Sequence, residues 1–263
     1  MKILVCVKQV PDTSGKVAVN PDGTLNRASM QTITNPDDMN AVEAALKLKD
    51  ATGCKVMVVT MGPPPAAGML RELMAMGADE GVLVSAREFG GSDTYATSQI
   101  LAAAISTIGV EEDDIVMCGR QAIDGDTAQV GAAVAAFLDI PQVTQAVSLE
   151  CRDGWAFCDR ALRDCGQKVR VKLPALITVC AEANEPRYPT PIGIMKALKK
   201  PRYVWTAADL GCEPDMIGIP GSPSINKRVF EPPKRNTDTK YFTGSVEEMA
   251  SAIADTLEAE RLI

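Results

Sequence analysis

The stretch Cys118–Asp139, CGRQAIDGDTAQVGAAVAAFLD, decides the fold. It closes an apolar run, Asp114–Cys118, and crosses a loop of Gly, Gln and Asp. It then becomes a segment with Val, Ala, Phe and Leu at helical spacing, which predicts a helix over Asp126–Leu138. In an open α/β sheet, a strand end feeding a helix start is where anionic ligands sit. Free N–H groups and the positive end of the helix dipole both face that point.

Upstream, Ile3–Val7 (ILVCV), Lys55–Thr60 (KVMVVT) and Val82–Val84 are continuous apolar runs of strand length, suited to parallel strands buried on both faces. Helices are expected between them. Asn35-Pro36-Asp37-Asp38 opens the first, with Asn35 as cap, Pro36 at the first helical position and two acids facing the dipole. Ala41, Ala45, Leu46 and Leu48 form its apolar face, and Gly53 closes it. A second helix spans about Ala66–Met76 and a third Thr94–Ile108, capped by Ser92 or Asp93. Residues 12–34 read as a loop with a short hairpin around Lys16–Asn20. The strand–helix alternation predicts an α/β fold with an open, mostly parallel, doubly wound sheet flanked by helices.

Downstream of Pro141 the texture changes. Val143–Cys151, Gly154–Arg160 and Lys168–Leu173 are short alternating runs joined by Asp153-Gly154 and Gly166, an expected antiparallel meander. Ala175–Ala181 is a buried run expected to rejoin the main sheet, and Glu185–Lys200 a proline-rich loop entering a basic helix. Residues 211–236 lack periodicity and read as an extended arm; Ser245–Arg261 is a terminal helix capped by Ser245. The expected organisation is an α/β domain over 1–210 and an arm with its helix over 211–263.

Composition narrows the chemistry. The net charge of −7 argues against nucleic acid as a partner, and the basic run Lys196–Arg202 reads as a solvated face. The absence of histidine removes His-dependent nucleophilic catalysis. The eight cysteines include no CxxC and read as small core or strand residues of a reduced protein. The methionines at 61, 69, 74 and 76 read as core. No run approaches a membrane span and the N-terminus shows no signal peptide, so a soluble, cytoplasmic protein without membrane insertion is expected.

No GxGxxG follows a strand and no GxxxxGK[ST] is present. A nucleotide would instead be held by several strand–helix corners together. These are the backbone of Cys6, Val7 and Lys8; Met61-Gly62-Pro63; and Gly119–Val130, where Gly119 and Gly125 permit close approach and Gln121, Asp126, Thr127 and Gln129 supply polar groups. Thr94 and Thr97 share a helix face and could offer hydroxyls to the same ligand. A Gly-rich corner is also an ordinary tight turn, and spacing alone does not separate the two readings.

Five blocks resemble the beta subunit of electron-transfer flavoprotein: VCVKQVPD at 5–12, NPDDMNAVEAALKLK at 35–49, MGPPPAAGMLRELMAMGADE at 61–80, GRQAIDGDTAQVG at 119–131 and ANEPRYPTPIGIMKA at 183–197. The resemblance implies an adenine-nucleotide-hydrolase-like α/β domain, and a heterodimer with an alpha subunit on which the C-terminal arm packs. It implies no catalytic side chain: the chemistry is the flavin's, and the subunit acts only with its partners. By resemblance, the cofactor lies against Cys6, Asn35, Pro36, Asp37, Asp38 and Met61, and against the run Gly119, Arg120, Gln121, Ala122, Ile123, Asp124, Gly125, Asp126, Thr127, Ala128, Gln129 and Val130. The segment with Glu185, Pro186, Arg187, Tyr188, Pro191, Ile192 and Met195 resembles the loop that docks acyl-CoA dehydrogenases.

Members of that family hold either AMP or a second, electron-bifurcating FAD in this subunit. The AMP type often reads DDDCNQTG where this chain reads DGDTAQVG at 124–131; Gly125 and Ala128 remove bulk and acceptors from the corner. GSDTYATSQ at 91–99 also resembles the bifurcating type, with Thr94 and Thr97 near the flavin ring. The resemblance thus favours FAD, with AMP as the alternative. NADH would be the electron donor, and ferredoxin or flavodoxin and, through the alpha-subunit FAD, an acyl-CoA dehydrogenase the acceptors. A stand-alone nucleotide-binding module of the stress-protein kind is a third reading, against which the docking-loop-like segment and the arm both speak.

Overall fold

The computed structural model describes residues 1–12, 31–224 and 239–263. The hairpin expected around Lys16–Asn20 and residues 225–236 of the expected arm lie outside the described residues. The chain divides into two compact units, Met1–Lys227 and Arg228–Ile263.

In chain order the first unit contains β1 (Lys2–Cys6), β2 (Gln9–Pro11), β3 (Thr32–Thr34), α1 (Pro36–Thr52), β4 (Lys55–Met61), α2 (Ala67–Met76), β5 (Glu80–Val84), α3 (Thr94–Ile108), β6 (Ile115–Gly119) and α4 (Val130–Phe137). Then come β7 (Gln142–Arg152), β8 (Trp155–Ala161), β9 (Gly166–Lys172), β10 (Ala175–Val179), α5 (Pro191–Ala197) and β11 (Arg202–Trp205). The main sheet has nine strands in the order β11-β5-β4-β1-β6-β10-β7-β8-β9, and β2 pairs with β3 in a separate antiparallel ribbon. Pairing is parallel from β11 through to β7, and antiparallel at β7–β8 and β8–β9. The parallel α/β sheet, the meander and the return of 175–179 to the main sheet all match expectation.

Residue alternation along the buried strands assigns the two layers. Ile3, Val5, Val56, Val58 and Ile177 face Ala41, Ala45 and Leu46 of α1 and Leu70, Leu73 and Met74 of α2. Leu4, Val59, Val82 and Val116 face Ile100, Leu101 and Ile105 of α3 and Val134 of α4. Burial of these aliphatic side chains, about 1.5–3 kcal/mol each, is the main term holding the layers together. Met69, Met74 and Met76 are core, as expected, while Met61, expected with them, is only partly buried at the end of β4.

From β1 the chain winds outward through β4 to β5, then returns to place β6 on the other side of β1. The β1–β6 boundary is therefore the topological switch point, and both strands end there at the same edge of the sheet.

Three local expectations are corrected. The helix expected from Asp126 starts at Val130, because Asp126 (φ 50°) and Ala128 (φ 51°) are left-handed and cannot continue a right-handed helix. Asn35 stands before α1 but its side chain does not cap it, being engaged elsewhere. The basic run is not wholly solvated: Lys200 Nζ donates to Met74 O (2.9 Å) and Ala78 O (2.6 Å) at the end of α2. Immediately after it, Arg202–Trp205 forms the edge strand β11, which periodicity does not announce. The first unit also runs past position 210, with Ile217 buried in the α3 layer.

The second unit contains α6 (Val246–Ala259), capped by a reciprocal Ser245–Glu248 box as Ser245 predicts; none of its residues is buried. No helix among the described residues is long and apolar enough to cross a membrane.

Candidate functional site

At the switch point three segments meet: the end of β1 with Lys8, the first turn of α1, and the loop from β6 to α4. Their joints are side chains bonded to backbone. Asp38 Oδ1 accepts Gly119 N–H and Oδ2 accepts Lys8 N–H, each at 2.8 Å. Asn35 Nδ2 donates to Gln121 O (2.8 Å), and Asn35 Oδ1 accepts Ile123 N–H (3.1 Å). Lys8 Nζ reaches both oxygens of Asp124 at 2.7 and 2.8 Å, and Gln121 Nε2 donates to Asp126 Oδ1 at 2.8 Å. Asp37 and Asp38 lie in the first turn of α1, as helix-dipole partners should, and Asp38 is in addition the staple of the corner.

Gly119 is required by this approach. A Cβ there would lie 2.5 Å from Asp37 C and 2.6 Å from Asp38 N. Gly131 does the same for α4, since its Cβ would lie 2.7 Å from Cys118 Sγ and 2.8 Å from Thr178 Cγ2. Gly125 differs: its φ is not left-handed and no atom lies within 4 Å of where its Cβ would be. Neither the chain's own packing nor its backbone geometry asks for glycine at 125.

Electrostatically the corner is under tension. Burial pushes the Asp38 carboxyl up to about 7, opposed by the Gly119 and Lys8 amides. Burial also raises Asp37, opposed chiefly by Arg120. Arg120 Nε and Asp37 Oδ2 are 3.4 Å apart, an ion pair out of hydrogen-bond alignment, and both atoms are buried without a hydrogen-bond partner. Burial, with Asp38 adding to it, raises the Cys6 thiol to about 12, so it stays protonated and unreactive at neutral pH.

The site residues expected from sequence divide by position. Cys6, Asn35 to Asp38 and Gly119 to Val130 converge on this corner. The amides of Val7 and Lys8 are engaged within the chain, by Val59 O (2.9 Å) and by Asp38. Met61 ends β4, half-buried on the α3 side. Thr94 and Thr97 lie half-buried on the first turns of α3, and α3 joins the corner where Ser98 Oγ approaches Val130 O at 3.4 Å. Two surface hollows, one lined by Leu70, Leu83 and Tyr203 and the other by Arg160, Leu162 and Gln167, lie elsewhere.

The corner fits an adenine nucleotide. Asp124 to Gln129 form an open, exposed shelf at the start of α4. Left-handed Ala128 followed by right-handed Gln129 (φ −107°, ψ −28°) is the alternation that turns successive N–H groups into an anion-binding nest. Asp37 Oδ2 and Arg120 Nε, buried side by side with no hydrogen bond, leave an unsatisfied acceptor and donor at the base of this shelf.

The segment expected to dock a partner has a fixed base and an exposed tip. Arg187 donates through Nε and Nη2 to both oxygens of Glu43 (2.8 and 3.0 Å), and Nη2 also reaches Asp50 Oδ2 (2.8 Å). Asn40 Nδ2 donates to Ala181 O and Asn184 O, and Asn184 Nδ2 to Asn40 O. Gly193 and buried Ala197 seat α5 on α2. Tyr188 (90% exposed), Ile192 (60%) and Met195 (62%) face outward. Asn40 and Glu43 escaped the sequence reading; a glutamate on the apolar side of α1, three residues after Asn40 and matching neither a cap nor a pair rule, gave no local signal.

Residues 22–210 match the family model for the electron transfer flavoprotein domain. The chain belongs to the electron transfer flavoprotein family. Relatives within it include the acryloyl-CoA reductase electron transfer subunit gamma of Anaerotignum propionicum, 53% identical over the whole of both chains. Others are the caffeyl-CoA reductase-Etf complex subunit CarD of Acetobacterium woodii (45%) and the electron transfer flavoprotein subunit beta of Thermoanaerobacterium thermosaccharolyticum (43%), both again over full length. The family membership and the beta-subunit likeness expected from the five sequence blocks are thereby borne out, and the chain is an electron-transfer subunit.

Proposed function

We propose that this chain is the beta subunit of a bifurcating electron-transfer flavoprotein, cytoplasmic and working as a heterodimer with an alpha subunit. In this reading it carries FAD at the β1–β6 corner. Electrons from NADH are divided between ferredoxin or flavodoxin and, through the alpha-subunit FAD, an acyl-CoA dehydrogenase. FAD bound here would supply the hydride-accepting and one-electron chemistry.

The chain's own residues bind and orient. Asn35, Asp37, Asp38 and Gly119–Ile123 would hold the adenosine end, and the Asp126–Val130 nest the phosphates. Thr94, Thr97 and the half-exposed Arg120 guanidinium would face the ring and tune it by hydrogen bonding and charge. No side chain needs to move a proton, in keeping with a chain that has no histidine. Tyr188, Ile192 and Met195 would meet the acyl-CoA dehydrogenase, and residues 228–263, whose α6 buries none of its own residues, the alpha subunit. The relatives named for acryloyl-CoA and caffeyl-CoA reductases support an acyl-CoA partner.

The observation that carries FAD over AMP is Gly125: a side chain is missing from an exposed shelf where the protein itself leaves room for one. The second reading, a structural AMP with one working flavin in the alpha subunit, is favoured by the same nucleotide corner. Cofactor extraction from the purified heterodimer tests the choice. Two FAD per dimer supports bifurcation; one FAD with one AMP overturns it.

A further inference from the structure

Asp93 divides its carboxylate between two parts of the chain. Oδ1 accepts the Tyr95 and Ala96 amides at 2.9 and 3.0 Å and caps α3. Oδ2 accepts Ser224 N–H at 3.0 Å and Ser224 Oγ–H at 2.8 Å, across 131 residues. The Asp93 amide donates to Ser222 Oγ (2.9 Å), which donates to Gly218 O (2.6 Å). A helix cap needs one oxygen; the second is committed wholly to the distant segment.

That segment grips the turn before α3 by packing as well. Ile217 is buried with Phe89. Gly218 is left-handed (φ 61°), and a Cβ there would overlap Glu88 O. A Cβ on Gly91 would lie 2.6 Å from Ile219 Cγ1. Residues 217–224 and 88–93 thus form one interlocked piece, and the first turn of α3, with Thr94 and Thr97, grows directly from it. The same segment is the last described stretch before the chain passes into the second unit.

We propose that Asp93 is a positioning residue that couples segment 217–224 to the first turn of α3, so that the placement of Thr94 and Thr97 follows that segment. The proposal rests on the reading of Thr94 and Thr97 as flavin-facing. It gives the route out of the first unit a direct hold on the cofactor side of α3.

Asp93→Asn separates cap from coupling. The amide oxygen still accepts from Tyr95 and Ala96, while the NH2 group faces the Ser224 donors and cannot accept from them. In the full heterodimer, amide exchange at 221–224 should accelerate at least about tenfold, the factor for about 1.4 kcal/mol. Exchange at Tyr95–Ser98 should rise with it, and the visible spectrum of the flavin bound to this subunit should shift. Ser224→Ala, which leaves the cap intact, should move all three readouts in the same direction by less. Faster exchange at 221–224 with α3 and the flavin spectrum unchanged would overturn the coupling, as would unchanged exchange at 221–224. Cofactor extraction from the same preparations keeps the two ideas apart. One FAD and one AMP defeats the flavin reading while the exchange at α3 still judges the coupling; two FAD with α3 unmoved defeats Asp93 alone.

Discussion

Asp38 and Gly119 meet at 2.8 Å across 81 residues of chain, carboxylate to amide, and the meeting needs glycine because α1 presses against β6 there. Gly119→Ala would force the first turn of α1 away from the sheet. Overpacking of this kind costs about 1–3 kcal/mol. The expected result is a lower urea midpoint together with loss of bound nucleotide on gel filtration.

Position 125 should behave in the opposite way. Gly125→Asp meets no protein atom and needs no special φ, so stability should stay within about 0.5 kcal/mol. Ala128→Asn should stabilise by about 0.5 kcal/mol, because asparagine tolerates the left-handed conformation better than alanine. Combined, the two should lower the FAD content of this subunit and raise AMP, measured by extraction; unaltered FAD content would remove Gly125 as the determinant.

Asp38 predicts a pH dependence. Its carboxyl rises on folding from the ordinary 3.8 to about 7, through burial outweighing the amide bonds. The folded chain therefore holds more protons than the unfolded one between those values. The contribution to stability is fully present below about pH 4, and it is lost as pH rises to about 7. Asp37 is raised in the same direction and adds to the trend. Urea midpoints of the wild type and Asp38→Asn, taken from pH 4 to 8, should differ in slope in that window.

Arg187→Ala would leave the Glu43 carboxylate, nearly inaccessible at 4%, without its guanidinium partner. Breaking a buried pair from one side costs about 3 kcal/mol. The expected signature is a lower urea midpoint with faster amide exchange in residues 184–190, partly recovered by adding Glu43→Gln. The apparent KM for the acyl-CoA dehydrogenase should rise while kcat with artificial acceptors holds.

Thr94→Val with Thr97→Val should slow NADH-driven flavin reduction and leave the dimer assembled, since neither residue is fully buried. Unchanged NADH kinetics in that double variant would sink their role.

The fold was legible where one physical signal acts along the chain. ILVCV, KVMVVT and ALITVCA are almost wholly apolar because parallel strands are covered on both faces, and the Asp153-Gly154 turn marks the meander. β11 was not legible: it is four residues long, follows a basic run, and becomes a strand by pairing with β5. Asn35 has every local mark of a cap, yet Gln121 and Ile123 take its side chain, a contact no local pattern encodes. The late start of α4 was hidden because Asp126 and Thr127 suit a helix opening, while the left-handed Ala128 has no compositional sign. The site segments were recognisable as blocks; that they converge follows from the strand order, which places β6 beside β1.

α1 has a further consequence. Its first turn is bonded into the nucleotide corner through Asp38, and its flank, through Asn40, Glu43 and Asp50, carries the base of the exposed 181–191 segment. At 17 residues it is a rod of about 25 Å at 1.5 Å per residue. In the proposed reading, cofactor and docking tip would be mounted on a single rigid beam. On that reading, the distance from the one to a partner held by the other would be set by the length of a helix, and not by the flexibility of a loop.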